Sequence, residues 1–214
     1  MKNILHSSQK KYLDSLRKKD DSLIERMEEF AKKTNVPILN KDAAQFLEQM
    51  IFISKPSRVL EIGTAIAYST IRIARNLKNN AVVDTIELSK DNIKLAKKNI
   101  TDSGLAARIN IIEGDALKVM PKIKQKYDFI FLDADKEDYE ELFTYALPIL
   151  KKDGIIFIDN LLWHGYVASS QVPADYKRST ECIRKFNEIF VERKDLKTTI
   201  LPVGDGIGLG IKVN

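Results

Sequence analysis

Short apolar runs that stop at a glycine or an acid recur along this chain, with stretches of helical spacing between them, and this alternation limits the fold more than any other feature. Residues 58–62 run into Gly63, 82–86 into Glu87, 129–132 into Asp133 and 155–158 into Asp159. A further run covers 109–112, and two last ones cover 196–201 and 208–213. Each has strand length and a strand-like content of Val, Ile or Phe. Helical spacing covers 69–77, 90–101, 137–147 and 177–192, with a short helix that ends near Met120 ahead of Pro121. Strands alternating with helices of this length imply an α/β fold with a mostly parallel sheet covered on both faces. The last two runs flank the tight turn Val203-Gly204-Asp205-Gly206, so they are expected to lie antiparallel to each other.

Residues 8–54, ahead of the alternation, read as helical. Leu13, Leu16, Leu23, Ile24, Met27 and Phe30 recur at helical spacing between charges. Val36-Pro37-Ile38-Leu39 interrupts them, because proline disfavours helix at the residue before it. Asn40 or Asp42 can cap the helix that follows. At 214 residues the chain suits one α/β domain and is short for two. With no linker in view, 1–54 is read as a helical appendage to a domain over 55–214, the whole forming one structural unit.

An apolar content of 44% and a charged content of 30% describe a soluble globular protein. No apolar run is long enough to span a bilayer, and the opening residues 1–8 lack the apolar core of a secretion signal. The single Cys182 cannot form an internal disulfide, which points to a reducing cytoplasm, and its helical setting suggests a buried structural thiol. A net charge of +5 fits a solvated lysine-rich surface and an anionic partner such as RNA equally well.

Open α/β sheets bind ligands at the carboxyl ends of their strands, where the acids of this chain fall. The first turn, Glu61-Ile62-Gly63-Thr64-Ala65-Ile66-Ala67-Tyr68-Ser69, has one glycine where a dinucleotide fingerprint needs three, and no triphosphate-binding loop occurs elsewhere. A nucleoside without phosphate fits better, and S-adenosylmethionine is such a ligand. Glu61 is expected to meet its ammonium directly or through water, Ser69 and nearby amides its carboxylate, Glu87 its ribose hydroxyls and Asp115 its adenine amine. Any one of these acids alone would be read as a cap or a surface charge.

Asp133, Asp159 and Asn160 follow two neighbouring strands. Two carboxylates and an amide oxygen form a hard all-oxygen set suited to Mg²⁺, while His6 and His164 are too few for a zinc site. Lys136, three residues after Asp133, is either a solvated lysine or a general base or oxyanion partner whose pKa burial lowers. Trp163 is either core or a flat surface on which a planar substrate stacks.

Glu61-x-Gly63, Glu87, Gly114-Asp115-Ala116, Asp133-Ala134-Asp135-Lys136 and Asp159-Asn160 stand in the order found in the cation-dependent O-methyltransferases of the catechol and caffeoyl-coenzyme A type, which this chain resembles from about Val36 to its end. The resemblance implies a Rossmann-like S-adenosylmethionine-dependent methyltransferase domain. Its sheet would have seven strands, with a reversed strand in the last-but-one position. It implies Mg²⁺ on Asp133, Asp159 and Asn160, a catalytic Lys136, a homodimer, and Leu39, Ser69, Ala116 and Asp133 on the cofactor wall. Val36-Pro37-Ile38, Asp159-Asn160-Leu161-Leu162 and Pro202-Val203-Gly204-Asp205-Gly206 narrow it to the bacterial tRNA 5-hydroxyuridine methyltransferases, whose substrate is the wobble base of the anticodon loop. Ala67 departs from the glycine usual there, and its methyl is expected to crowd the methionine end of the cofactor. Lys10-Lys11, Lys18-Lys19, Lys177-Arg178 and Arg184-Lys185 could meet phosphates or simply face solvent. The alternatives are an enzyme for small catechol-like phenols and, more remotely, a non-catalytic RNA-binding protein.

Overall fold

Side chains on successive strand residues point to opposite faces of a sheet, and here both faces are apolar, so helices must cover both. The computed structural model describes residues 6–213. Residues 1–5, on which much of the reading of a missing secretion signal rests, lie outside the described residues.

The strands are β1 (Arg58–Ile62), β2 (Val82–Glu87), β3 (Ile109–Glu113), β4 (Tyr127–Leu132), β5 (Leu150–Ile158), β6 (Leu196–Leu201) and β7 (Ile207–Lys212). They form one seven-stranded sheet in the order β3-β2-β1-β4-β5-β7-β6. β1 to β5 run parallel, and β7 is antiparallel to both neighbours. The reversed strand therefore occupies the last-but-one position, as the resemblance implied, in a Rossmann-like arrangement. The strand order reverses direction between β1 and β4, the point at which open α/β sheets place their ligand crevice.

The helices are α1 (Ser7–Leu16), α2 (Ser22–Thr34), α3 (Lys41–Ser54), α4 (Tyr68–Asn76), α5 (Lys90–Asp102), α6 (Ala116–Val119), α7 (Tyr139–Ile149) and α8 (Lys177–Val191). Val59, Val83, Phe129, Phe131 and Phe157 form one core with α2 to α5. Leu60, Ile62, Ile130, Leu132 and Ile158 form the other with α7 and α8. Neighbouring residues of β1 and β4 thus feed different cores, as period-two alternation requires.

Several elements depart from the sequence-based expectation. The N-terminal helical stretch breaks at residues 17–21, because Asp21 accepts hydrogen bonds from Leu23 N and Ile24 N and caps α2. Leu13 and Leu16 are exposed in α1, which buries none of its residues, and Phe30 is also largely exposed. β5 begins at Leu150, well before residue 155, and its register with β4 shifts between Tyr127 and Phe129. Cys182 is half-buried. Among the described residues no helix is long and apolar enough to cross a membrane.

Candidate active site

A cavity of about 680 Å³ opens at the carboxyl ends of β1 to β5. Leu39, Gly63, Ser69, Glu87, Asp115, Ala116 and Asp133, expected to hold the cofactor, line it. Asp159, Asn160, Lys136 and Trp163 line it as well. Neighbouring strands create this convergence. Leu132 pairs with Ile158, so Asp133 and Asp159 leave adjacent strand ends together. Asp159 N donates to Leu132 O at 3.1 Å and Asp133 N to Ile62 O at 3.0 Å.

The first turn is shaped by close approach. Gly63 has φ of +106°, and a Cβ there would lie 2.0 Å from Asp133 O, so no side chain fits. Glu87 is held open to the cavity: Oε2 accepts from Ala65 N at 2.8 Å and Oε1 from Ser89 N at 2.8 Å. Asp115 lines the cavity while also capping α6 through Leu117 N at 3.0 Å.

Glu61 does not line the cavity, contrary to expectation. It lies fully buried beneath the turn, where Ser69, Thr70 and Thr85 all donate to its carboxylate. Three hydroxyls occupy the oxygens that were to meet a ligand's ammonium. Burial raises its pKa, the three hydroxyls work against that, and the result is about 7. Ser69 changes role as a consequence. Its proton goes to Glu61 Oε1 at 2.6 Å, which leaves the hydroxyl only lone pairs for the cavity. It suits an ammonium, and a carboxylate is left to backbone amides. Ala67 is buried in the core at φ of 67° and lies off the cavity wall. Its methyl strains the backbone of the turn and does not crowd the pocket.

Asp159 is 3% exposed, and its Oδ1 is buried with no hydrogen-bond partner. Burial raises its pKa, and the neighbouring Asp133 carboxylate raises it further. A buried carboxylate oxygen without a donor calls for a cation. Asn160, in the left-handed region at φ of 63°, turns its Nδ2 to Asp205 Oδ2 at 3.3 Å and keeps its amide oxygen for another partner. The three side chains fit a hard divalent cation as an all-oxygen set. Among the described residues no group of three His, Cys, Asp or Glu side chains offers a competing centre.

Lys136 is not solvated. Its Nζ donates to Asp133 Oδ1 at 3.2 Å, Ala134 O at 2.8 Å and Tyr139 Oη at 2.8 Å. Burial acts to lower its pKa, as anticipated, but Tyr139, Asp133 and Asp159 outweigh burial and hold it above the ordinary lysine value. Among these uncompensated carboxylates the ammonium form is favoured, and its three contacts suit a charged donor. Trp163 lines the cavity with its ring centroid 5.6 Å from Lys136 Nζ and 4.8 Å from the His164 ring. Tyr139 and Asp205 also belong to this wall's support and were not foreseen. Tyr139 falls inside the helical stretch 137–147 with no signal of its own, and Asp205 appeared only as a turn residue.

A family model described as O-methyltransferase matches residues 13–213. A catechol O-methyltransferase from Niastella koreensis is 31% identical, covering 99% of this chain and 99% of its own. A caffeoyl-CoA O-methyltransferase from Stellaria longipes is 31% identical over 77% of this chain and 72% of its own. The crystal structure of an O-methyltransferase from Bacillus cereus in complex with SAH superposes with a TM-score of 0.84 at 26% identity, covering 96% of this chain and 97% of that one.

Proposed function

Since the chain belongs to the O-methyltransferase family, we propose that it methylates a ring hydroxyl set beside a second oxygen, and that the ring is 5-hydroxyuridine at the tRNA wobble position. S-adenosylmethionine would supply an electrophilic methyl on its sulfonium. A divalent cation such as Mg²⁺, held by Asp133, Asp159 and Asn160, would supply the Lewis acidity that eases loss of the acceptor's proton.

The chain's own residues do the rest. Glu87, fixed by two backbone amides, accepts from ribose hydroxyls, and Asp115 from the adenine amine. Ser69, anchored on Glu61, accepts from the ammonium. Lys136 braces Asp133 and offers positive charge to an oxyanion. Trp163 gives the acceptor ring a face at the mouth. Together they align hydroxyl and methyl, which turns an encounter into a near-unimolecular transfer.

The orphaned Asp159 Oδ1, in the same cavity as Glu87, carries this reading. A 5-hydroxyuridine has its hydroxyl next to the C4 carbonyl, and those two oxygens can chelate one cation. The net charge of +5, with Lys177 and Arg178 at the start of α8, is compatible with a polyanionic acceptor. The likeness to the Niastella koreensis protein favours a second reading, a small catechol-like phenol, over the same site.

The test supplies methyl-labelled cofactor and Mg²⁺ with either hypomodified tRNA or catechol, then analyses nucleosides by mass spectrometry. We expect 5-methoxyuridine in tRNA, and no product with Asp133→Ala. Label in catechol and none in tRNA selects the second reading. Label in neither leaves an RNA-binding protein that keeps the fold.

A further inference from the structure

The turn between β6 and β7 reaches across to the loop that carries Asn160. Leu161 N donates to Gly206 O and Leu162 N to Asp205 O, both at 2.9 Å. Gly206 must be glycine for this approach, since a Cβ there would lie 2.5 Å from Leu162 N. Asp205 is 8% exposed. Its Oδ1 accepts from His164 N at 2.7 Å and its Oδ2 from Asn160 Nδ2 at 3.3 Å. The loop it grips holds three residues in the left-handed region, Asn160 at φ of 63°, Trp163 at 42° and His164 at 56°. Non-glycine residues stay there only where the surroundings fix them.

A carboxylate can only accept, so the edge of the Asn160 amide that meets Asp205 must be its NH₂. We propose that Asp205 is the positioning residue of the cation site: it fixes the orientation of the Asn160 amide, and so keeps an oxygen, and not an NH₂ group, available to the divalent ion. The inference rests on the cation reading of Asp133, Asp159 and Asn160. Partners of this kind behind metal ligands set affinity by roughly 10- to 100-fold.

Asp205→Asn separates this role from a purely structural one. The new amide has nearly the same shape and still offers an oxygen to His164 N. Its NH₂ can now donate to Asn160, which frees the Asn160 amide to turn over and present nitrogen to the cation. Mn²⁺ binding to the purified protein, followed by titration calorimetry, reads this directly without turnover. We expect D205N to raise the Mn²⁺ dissociation constant about tenfold or more, with cofactor affinity and melting temperature near wild type. Adding Asn160→Asp to that variant puts oxygen on both edges of the ligand, so D205N/N160D should recover most of the lost affinity. Wild-type affinity in D205N overturns the proposal, and so does a loss that N160D leaves unrepaired. Asp133→Ala in the same titration tests the premise: if it binds Mn²⁺ like wild type, the cation reading itself falls.

Discussion

Glu61 carries its charge at a depth where water cannot help it. Its pKa, raised by burial to about 7 from an ordinary 4.5, means that folding favours the protonated form. The sign follows from that. Stability associated with Glu61 is complete below about pH 4.5 and is lost as pH rises towards 7, on the order of 3 kcal/mol at about 1.4 kcal/mol per unit. Glu61→Gln removes the titration while the hydroxyls of Ser69, Thr70 and Thr85 can turn to meet an amide. The melting temperature of the variant minus that of wild type should therefore rise between pH 5 and pH 8, and a difference that stays flat would contradict the burial argument. Lys136 yields a kinetic expectation. Lys136→Met removes a retained ammonium next to Asp133, so kcat should fall about a hundredfold with cofactor affinity unchanged. A rate equal to wild type would make Lys136 a spectator. The acids that end strands, Glu87, Asp133 and Asp159, were legible as a set and not singly, since their shared place after apolar runs fixes where they emerge together. The saturation of Glu61 was not. Thr70 comes from α4 and Thr85 from β2, and a hydroxyl in a helix or a strand carries no signal of the carboxylate it meets across the fold.

At the scale of elements, caps and close approaches decide where structure starts. The first turn of α2 leaves amides unpaired, and Asp21 satisfies those of Leu23 and Ile24 while pairing with Arg75 of α4. Asp21→Ala should destabilise the protein by about 1 kcal/mol in denaturant unfolding, the usual scale of a lost cap. A change below a few tenths would mean that α2 is positioned by packing alone. Gly63→Ala should act far more severely, since a methyl 2.0 Å from Asp133 O forces β1 and β4 apart where the cofactor wall meets the cation wall. Cofactor and Mn²⁺ affinity are both expected to fall in titration of the purified variant, and loss of only one would show that the walls move independently. The sheet was readable because its strands are short and rich in Val, Ile or Phe, and β1, β2, β4 and β5 run into Gly63, Glu87, Asp133 and Asp159. The break at residues 17–21 was not readable, because Lys18, Lys19, Asp20 and Asp21 look like one more solvated turn of a charged helix. The early start of β5 was hidden for a related reason. Lys151, Lys152 and Asp153 are polar, and they fall where the register with β4 jumps from Leu150 to Ile155, so neither their own pattern nor a paired neighbour marks them as strand.

At the scale of the whole molecule, the N-terminal helices and the sheet share a core and a buried charge. Leu23, Ile24, Met27, Leu47 and Ile51 pack in the same cluster as Phe129 and Phe157. Arg72 of α4 is 4% exposed and donates to Asp20, just ahead of α2, and to Glu48 of α3, both at 2.7 Å. Tyr68, one turn earlier, donates to Glu28 of α2 at 2.7 Å and lines the cavity. One guanidinium thus links two N-terminal segments to the helix that opens the cofactor wall. Arg72→Met removes the charge, keeps the volume of the stem and leaves partly buried carboxylates without a partner, a change expected to destabilise by about 3 kcal/mol. The informative readout is whether the loss is shared. Trp163, the single tryptophan, reports from the cation wall, whereas far-UV circular dichroism reports all helices. If residues 22–54 fold with the sheet as one unit, both signals in guanidinium should move together to the same lower midpoint. An early loss of helix signal with the Trp163 midpoint unmoved would mean instead that the N-terminal helices open alone, and that the cofactor wall keeps its shape without them.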